Sequence, residues 1–128
     1  MRYPLDELLD KKSIIQLKLE RIGKSEELKK EYDDYAEAIE EYVQENICTS
    51  KQVDSWYKRL YEINGKIWDL EALLRQGKEG KLGLEEVGRR AIEIRNNNAV
   101  RVAIKNEVVQ TIGIGYKNLK SNHCSANK

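Results

Sequence analysis

The sequence has no phenylalanine, one proline, one histidine and two cysteines in 128 residues. A single proline leaves few of the chain breaks that a protein of many short strands needs. Without phenylalanine, seven tyrosines and two tryptophans carry all the aromatic bulk. Their polar tips suit half-buried surfaces and interfaces. No apolar run approaches the roughly 18 residues of a transmembrane helix, so we predict no membrane span.

The two cysteines, Cys48 and Cys124, form no CxxC pair and have no metal-ligand spacing. The N-terminal residues are rich in carboxylates and lack the apolar segment of a signal peptide. We therefore expect a cytoplasmic protein. His123 adjoins Cys124, but no third group is placed to orient the histidine as a base. We assign no catalytic residue, no metal ligand and no cofactor.

Charged residues make up 35% of the chain and hydrophobic residues 40%, which is typical of a globular domain. Apolar residues recur at helical spacing over most of the length. We predict an all-α bundle of four amphipathic helices, at about 4–22, 25–46, 51–76 and 84–112. These form one domain over 1–112. Gly113 and Gly115 are expected to end the last helix, leaving a polar C-terminal tail over 113–128.

The third helix has the strongest apolar pattern. Seven positions at coiled-coil spacing form one stripe, which is called the third-helix stripe below. They are Val53, Trp56, Leu60, Ile63, Ile67, Leu70 and Leu74. A second face carries Tyr57, Tyr61, Asn64 and Trp68. A helix with two faces turned from solvent is central to a bundle or also packs on a second subunit. We predict that this second face is a homodimer interface.

The run Asn96–Asn98 leaves two alternatives open. The fourth helix stops there and 99–104 forms a short strand, or the helix continues to about residue 112. We favour continuation, because a lone strand has no partner in this chain.

In a continuous fourth helix, four polar residues share an arc with Val102 and Val109, which we expect to face the bundle. They are Arg95, Asn98, Arg101 and Lys105. Buried cations need partners. One alternative is that these four residues meet acidic residues such as Glu71 or join a network with Asn64. The other is that they converge on a small anionic ligand such as a phosphate or carboxylate.

The charge is unevenly distributed. Residues 1–74 hold 12 Lys/Arg and 17 Asp/Glu, a net of −5, and residues 75–128 hold 11 and 5, a net of +6. The basic part packs beside the acidic part, or it meets a polyanion. No nucleic-acid-binding motif surrounds the basic residues, and glutamates interrupt them. A nucleic-acid accessory role is therefore a weaker hypothesis.

The second helix is strongly acidic, with carboxylates that resemble the Mg²⁺-binding clusters of helical nucleotide pyrophosphatases. The carboxylates of this chain that show the resemblance are Asp33, Glu37, Glu40, Glu41 and Glu45. In such enzymes the carboxylates point inward, whereas here most lie opposite the apolar stripe. A Mg²⁺-dependent hydrolase is the hypothesis we favour least.

Three stretches resemble a family of small helical proteins of unknown activity from bacteria, phage and environmental sequences. They are Leu5–Lys11 with Leu17–Ile22, Leu60–Asn64 with Ile67–Glu71, and Asn98 with Arg101–Glu107. The resemblance covers most of the chain and implies a helical fold in which the fourth helix continues through Asn98. It implies no activity. Ala72 and Leu73 stand where that family is often acidic, which weakens a metal-site hypothesis. We favour a non-enzymatic structural or interaction module.

Overall fold

The computed structural model describes residues 2–78 and 83–126, with side chains placed at all of these except 76–78, 118 and 120–126. The described residues form four helices: α1 (Leu5–Arg21), α2 (Glu26–Gln44), α3 (Ser50–Lys78) and α4 (Leu84–Ala126). The described ranges contain no strand, and the predicted all-α bundle is confirmed. None of the helices in these ranges combines the length and the apolar content required to cross a bilayer.

Local signals mark the helix ends. The side chain of Ser25 accepts a hydrogen bond from the Leu28 N–H at 3.3 Å and caps α2. Thr49 and Gln52 cap α3 reciprocally, because the Thr49 hydroxyl accepts from the Gln52 N–H at 3.1 Å and the Gln52 amide oxygen accepts from the Thr49 N–H at 2.9 Å. Gly23, with φ of 146°, follows α1. Asn46, with φ of 60°, follows α2 in the left-handed region that asparagine tolerates.

Helix α4 runs unbroken through Asn96–Asn98, so continuation is confirmed and the alternative strand over 99–104 is wrong. The predicted helix end at residue 112 is also wrong, because α4 continues past both glycines to Ala126. Gly115 has a packing role instead. A Cβ at this position would overlap the Ile47 carbonyl oxygen and lie 3.1 Å from its carbonyl carbon. Glycine lets α4 approach the loop after α2 this closely.

The four helices share one core, and α1 contacts each of the other three. Helix α3 packs against α4 and α1, which accounts for the two non-solvent faces predicted for it. The third-helix stripe is buried from Trp56 to Leu70, with half-buried ends at Val53 and Leu74, as predicted. On α4, Ile104 and Val108 enter the core. Val102 and Val109, which we expected to face the bundle, are each 53% exposed, and that prediction is wrong.

Candidate functional site

A buried carboxylate joins three helices at one point. Asp10 on α1 is 2% exposed. Its Oδ1 accepts hydrogen bonds from Arg101 Nε on α4 and from Asn64 Nδ2 on α3, both at 2.9 Å. Arg101 Nη2 donates to the second carboxylate oxygen. The guanidinium therefore binds the carboxylate through two parallel hydrogen bonds, the strongest geometry for such a pair.

Neighbouring groups complete what we call the Asp10 cluster, which consists of Glu7, Asp10, Ser13, Asn64, Arg101 and Lys105. Asn64 Nδ2 also donates to Ser13 Oγ at 2.8 Å, and that hydroxyl donates to the Asp10 carbonyl oxygen at 2.6 Å. Lys105 Nζ lies 3.9 Å from Asp10 Oδ2 and forms an ion pair with Glu7. Among the described side chains, no buried polar atom lacks a hydrogen-bond partner. The buried polar atoms of the cluster therefore find their hydrogen-bond partners within the protein, as buried polar groups require.

The groups around Asp10 determine the pKa of its carboxyl. Burial by itself raises the pKa of the Asp10 carboxyl, but the hydrogen bonds from Arg101 and Asn64, with the charges of Arg101 and Lys105, hold that pKa below its ordinary value of 3.8. The hydrogen bond to Asp10 in turn raises the pKa of the Arg101 guanidinium. The carboxylates of Asp10 and Glu7 balance the cations of Arg101 and Lys105, so the cluster is close to neutral. A neutral cluster does not attract an anionic ligand electrostatically.

The four residues predicted to bind an anion do not converge on one space. Arg101 and Lys105 meet at the Asp10 cluster. Asn98 is half-buried and Arg95 is exposed on the outer side of α4. Of the partners we named, Asn64 shares Asp10 Oδ1 with Arg101. The hydrogen bond to Asp10 and, more weakly, the charge of Glu71 raise the pKa of Arg101, although across the described residues Glu71 forms no ion pair with this set. Sequence reasoning missed Asp10 itself. Its signal was the spacing of Asp10, Ser13 and Leu17, which places two polar residues on a buried flank of α1.

The second face of α3 lies against α1 of the same chain. The hydroxyl of Tyr57 donates to Gln16 Oε1, and that of Tyr61 donates to Glu20 Oε1. Burial raises the pKa of the Tyr57 hydroxyl. Asn64 belongs to the Asp10 cluster. Three of the four predicted interface residues are therefore hydrogen-bonded to α1.

Cations on α1 complete this contact. Lys12 Nζ lies 4.2 Å from the ring centroid of Tyr57 and 4.9 Å from that of Tyr32 on α2. Arg21 lies over the ring of Trp68, with its Cζ 5.9 Å from the centroid. Cations over aromatic faces are attracted by the ring quadrupole. The aromatic face of α3 thus contacts α1 within the chain, while Tyr57, Tyr61 and Trp68 remain half-buried.

The outer face of α4 carries an exposed row of side chains at coiled-coil spacing, which we call the α4 seam. Its nine positions alternate by four and three residues. They are Gly88, Ile92, Arg95, Ala99, Val102, Asn106, Val109, Gly113 and Tyr116. All nine are exposed. At 1.5 Å per residue the seam is about 42 Å long.

Apolar and small residues dominate the α4 seam. Ile92 is 52% exposed, Val102 and Val109 are 53% exposed, and Tyr116 is 43% exposed. Scattered exposed apolar residues are ordinary, but a row of them along one helix face marks an interaction surface, and Arg95 and Asn106 interrupt this row. The sequence signal was present in the heptad steps Val102, Val109 and Tyr116. It was missed because we assigned the two valines to the bundle side.

The acidic residues considered for Mg²⁺ are all exposed: Asp33, Glu37, Glu40 and Glu41 on α2, and Glu45 directly after it. The described residues contain no group of three or more His, Cys, Asp or Glu side chains arranged to hold a metal ion. Cys48 is buried and free, and burial raises the pKa of its thiol. The side chains of His123 and Cys124 lie outside the described set.

Several cations of the basic part of the chain are paired within the chain. Arg101 and Lys105 bind carboxylates of α1, and Arg89 and Arg90 both pair with Glu86 on α4. The first two pairs join the basic part to the acidic part, as one of our two alternatives predicted. In comparisons with known proteins, no family model, curated protein or solved structure matches the chain.

Proposed function

We propose that this chain is a non-enzymatic helical interaction module that forms a homodimer. The observation that carries the proposal is the α4 seam: nine exposed positions at coiled-coil spacing on the longest helix of the fold. Burying an apolar row of this kind against a partner helix is favourable by about 25 cal/mol per Å² of apolar area. A helix that presents such a row to water lacks a neighbour on that side.

The Asp10 cluster supports an interaction module over a metabolite-binding protein. Arg101 and Lys105 already neutralise Asp10 and Glu7. A phosphate would have to displace a buried carboxylate from a two-hydrogen-bond pair, which leaves that carboxylate buried and uncompensated. The cluster instead holds α1, α3 and α4 in one arrangement, so that the fold presents the α4 seam from a rigid support.

The compartment proposed for this module is the cytoplasm. Cys48 is a free, buried thiol, and isolated unpaired cysteines are common where the cell keeps thiols reduced.

Light scattering coupled to size exclusion tests the proposal. We expect the wild-type chain to have twice its 14.9 kDa monomer mass. Val102→Glu places a charge in the middle of the seam and should give a monomer, because an unpaired charge in an apolar interface is costly.

Val100→Glu is the matched control. It introduces the same charge at a valine of similar exposure, 49% against 53%, two positions away on a different side of α4. It should remain dimeric, and both variants should keep their far-ultraviolet circular dichroism. A wild-type monomer over the micromolar range, or equal dissociation of both variants, would overturn the proposal.

A further inference from the structure

We infer that the partner of the α4 seam is the α4 seam of a second copy, aligned antiparallel about a two-fold axis between Ala99 and Val102. This inference rests on the proposed function and deepens it by assigning the partner, the direction and the alignment. A closed two-fold pair requires a surface that is complementary to itself. The order of seam residues from Gly88 to Gly113 meets this requirement in one alignment, in which the ninth seam residue, Tyr116, faces Glu85.

The direction follows from Arg95. In a parallel pair, each seam residue faces its own copy. Arg95 would then face Arg95 in the middle of the interface, where two like charges leave water together. An antiparallel pair separates the two guanidinium groups along the helix axis. Arg95 is exposed and stands between Ile92 and Ala99 on the seam, so a parallel pair has no way to keep it out of the contact.

The alignment follows from matching polar with polar. When Ala99 faces Val102 of the second copy, Ile92 faces Val109 and Gly88 faces Gly113. Arg95 then faces Asn106, whose amide oxygen accepts from a guanidinium. A polar residue inside an otherwise apolar seam commonly sets alignment in this way.

Antiparallel alignments shifted by one heptad fail this match. One shift places Val102 against Asn106 and Arg95 against Gly113. The opposite shift places Arg95 against Ala99 and Asn106 against Gly88. Each shift leaves polar groups opposite apolar ones, which costs free energy in a dehydrated contact. The alignment about Ala99 and Val102 alone pairs the two polar residues with each other.

The flanks of the seam agree with this alignment. Leu84 is 92% exposed and Leu119 is 36% exposed, and the alignment brings these two leucines of opposite copies together at each end. On the same flank, Ala91 faces Ile112 of the second copy. No pair of like charges meets across either flank, where such charges decide partner choice. The most exposed leucine among the described side chains thereby gains an apolar neighbour.

Disulfide trapping tests the alignment. The background carries Cys124→Ser and retains Cys48, whose side chain is 6% exposed. In this background we combine Ile92→Cys with Val109→Cys in one chain and also make each substitution alone. The double variant should form a covalent dimer on mild oxidation. Each single variant should stay monomeric in non-reducing gels, because equivalent positions lie about 25 Å apart along the axis, beyond disulfide reach.

The outcomes separate the alignment from the proposed function. Within one chain positions 92 and 109 are also about 25 Å apart, so only a second copy can complete the bond. Covalent dimers from either single variant would show parallel pairing and overturn the inference. A non-covalent dimer by light scattering in which the double variant does not cross-link would also overturn the inference and leave the homodimer proposal intact. A wild-type monomer would overturn both. The unsubstituted background must not cross-link.

Discussion

Arg101 and Asp10 lie 91 residues apart in the chain and form a two-hydrogen-bond ion pair in which the carboxylate is 2% exposed. The guanidinium side chain keeps 30% of its surface in water. The two partners therefore differ in what their loss leaves behind. Removing Arg101 leaves the Asp10 carboxylate buried without a cation. Removing the charge of Asp10 leaves the Arg101 guanidinium, which can still reach solvent.

This asymmetry predicts the order of two destabilisations. Arg101→Met should lower the free energy of unfolding by about 3 kcal/mol, and Asp10→Asn by about 2 kcal/mol. The double variant should lose less than the sum, because the second substitution removes the group that the first one strands. Urea unfolding of the wild type, the two single variants and the double variant measures this double-mutant cycle. Arg59→Met, which breaks an exposed pair with Glu107, is the matched control and should cost under about 1 kcal/mol. Additive losses would contradict the described pairing.

The lowered pKa of Asp10 predicts acid sensitivity with a defined sign. Because the folded-state pKa lies below 3.8, the ionised carboxylate stabilises the fold above about pH 4. This contribution is lost as the pH falls through the folded-state pKa. We expect the stability difference between wild type and Asp10→Asn to be constant from pH 5 to 7 and to shrink below about pH 4. A difference that stays constant to pH 3, measured by urea unfolding, would contradict the pKa direction.

Gly115→Ala should destabilise the fold despite its better helix propensity. Alanine gains about 1 kcal/mol over glycine inside a helix. At Gly115 the added Cβ overlaps the Ile47 carbonyl, and relieving an overlap with backbone costs about 1–3 kcal/mol. We expect a net loss. Gly113→Ala meets no atom within 4 Å and should be neutral or stabilising. Both are measured by thermal unfolding in the Val102→Glu background, so that association does not contribute. Equal effects at the two positions would contradict the close approach of α4 to Ile47.

Anionic ligands should leave the stability unchanged. Inorganic phosphate and ATP, added at constant ionic strength, should shift the melting temperature by less than about 1 °C, since a ligand stabilises only the state it binds. The reason is that Arg101 and Lys105 are neutralised by Asp10 and Glu7. Sodium chloride of matched ionic strength is the control. A rise in melting temperature that disappears in Arg101→Met would contradict this account and restore the metabolite-binding hypothesis.

The helices could be predicted from the sequence because their signals are local. Caps such as Ser25 and Thr49 and the unbroken third-helix stripe act over a few residues. The end of α4 could not be predicted in the same way. Gly115 serves a contact with Ile47, and this contact joins positions far apart in sequence.

The candidate surfaces were harder to predict than the helices. Arg101 was identified as a buried cation, but its partner depended on how α1 packs against α4. The orientation of α4 was misassigned because apolar residues occupy both sides of it, with Ile104 and Val108 inside and Val102 and Val109 outside. The aromatic face of α3 was expected to bind a second subunit, and three of its four residues are hydrogen-bonded to α1 of the same chain.

Native mass spectrometry of the untagged wild-type protein tests the central claim most directly, since it reports the number of chains and any retained ligand together. We expect an assembly of two chains of 14.9 kDa each with no added mass. A single-chain mass under gentle conditions would contradict the claim that the α4 seam joins two copies.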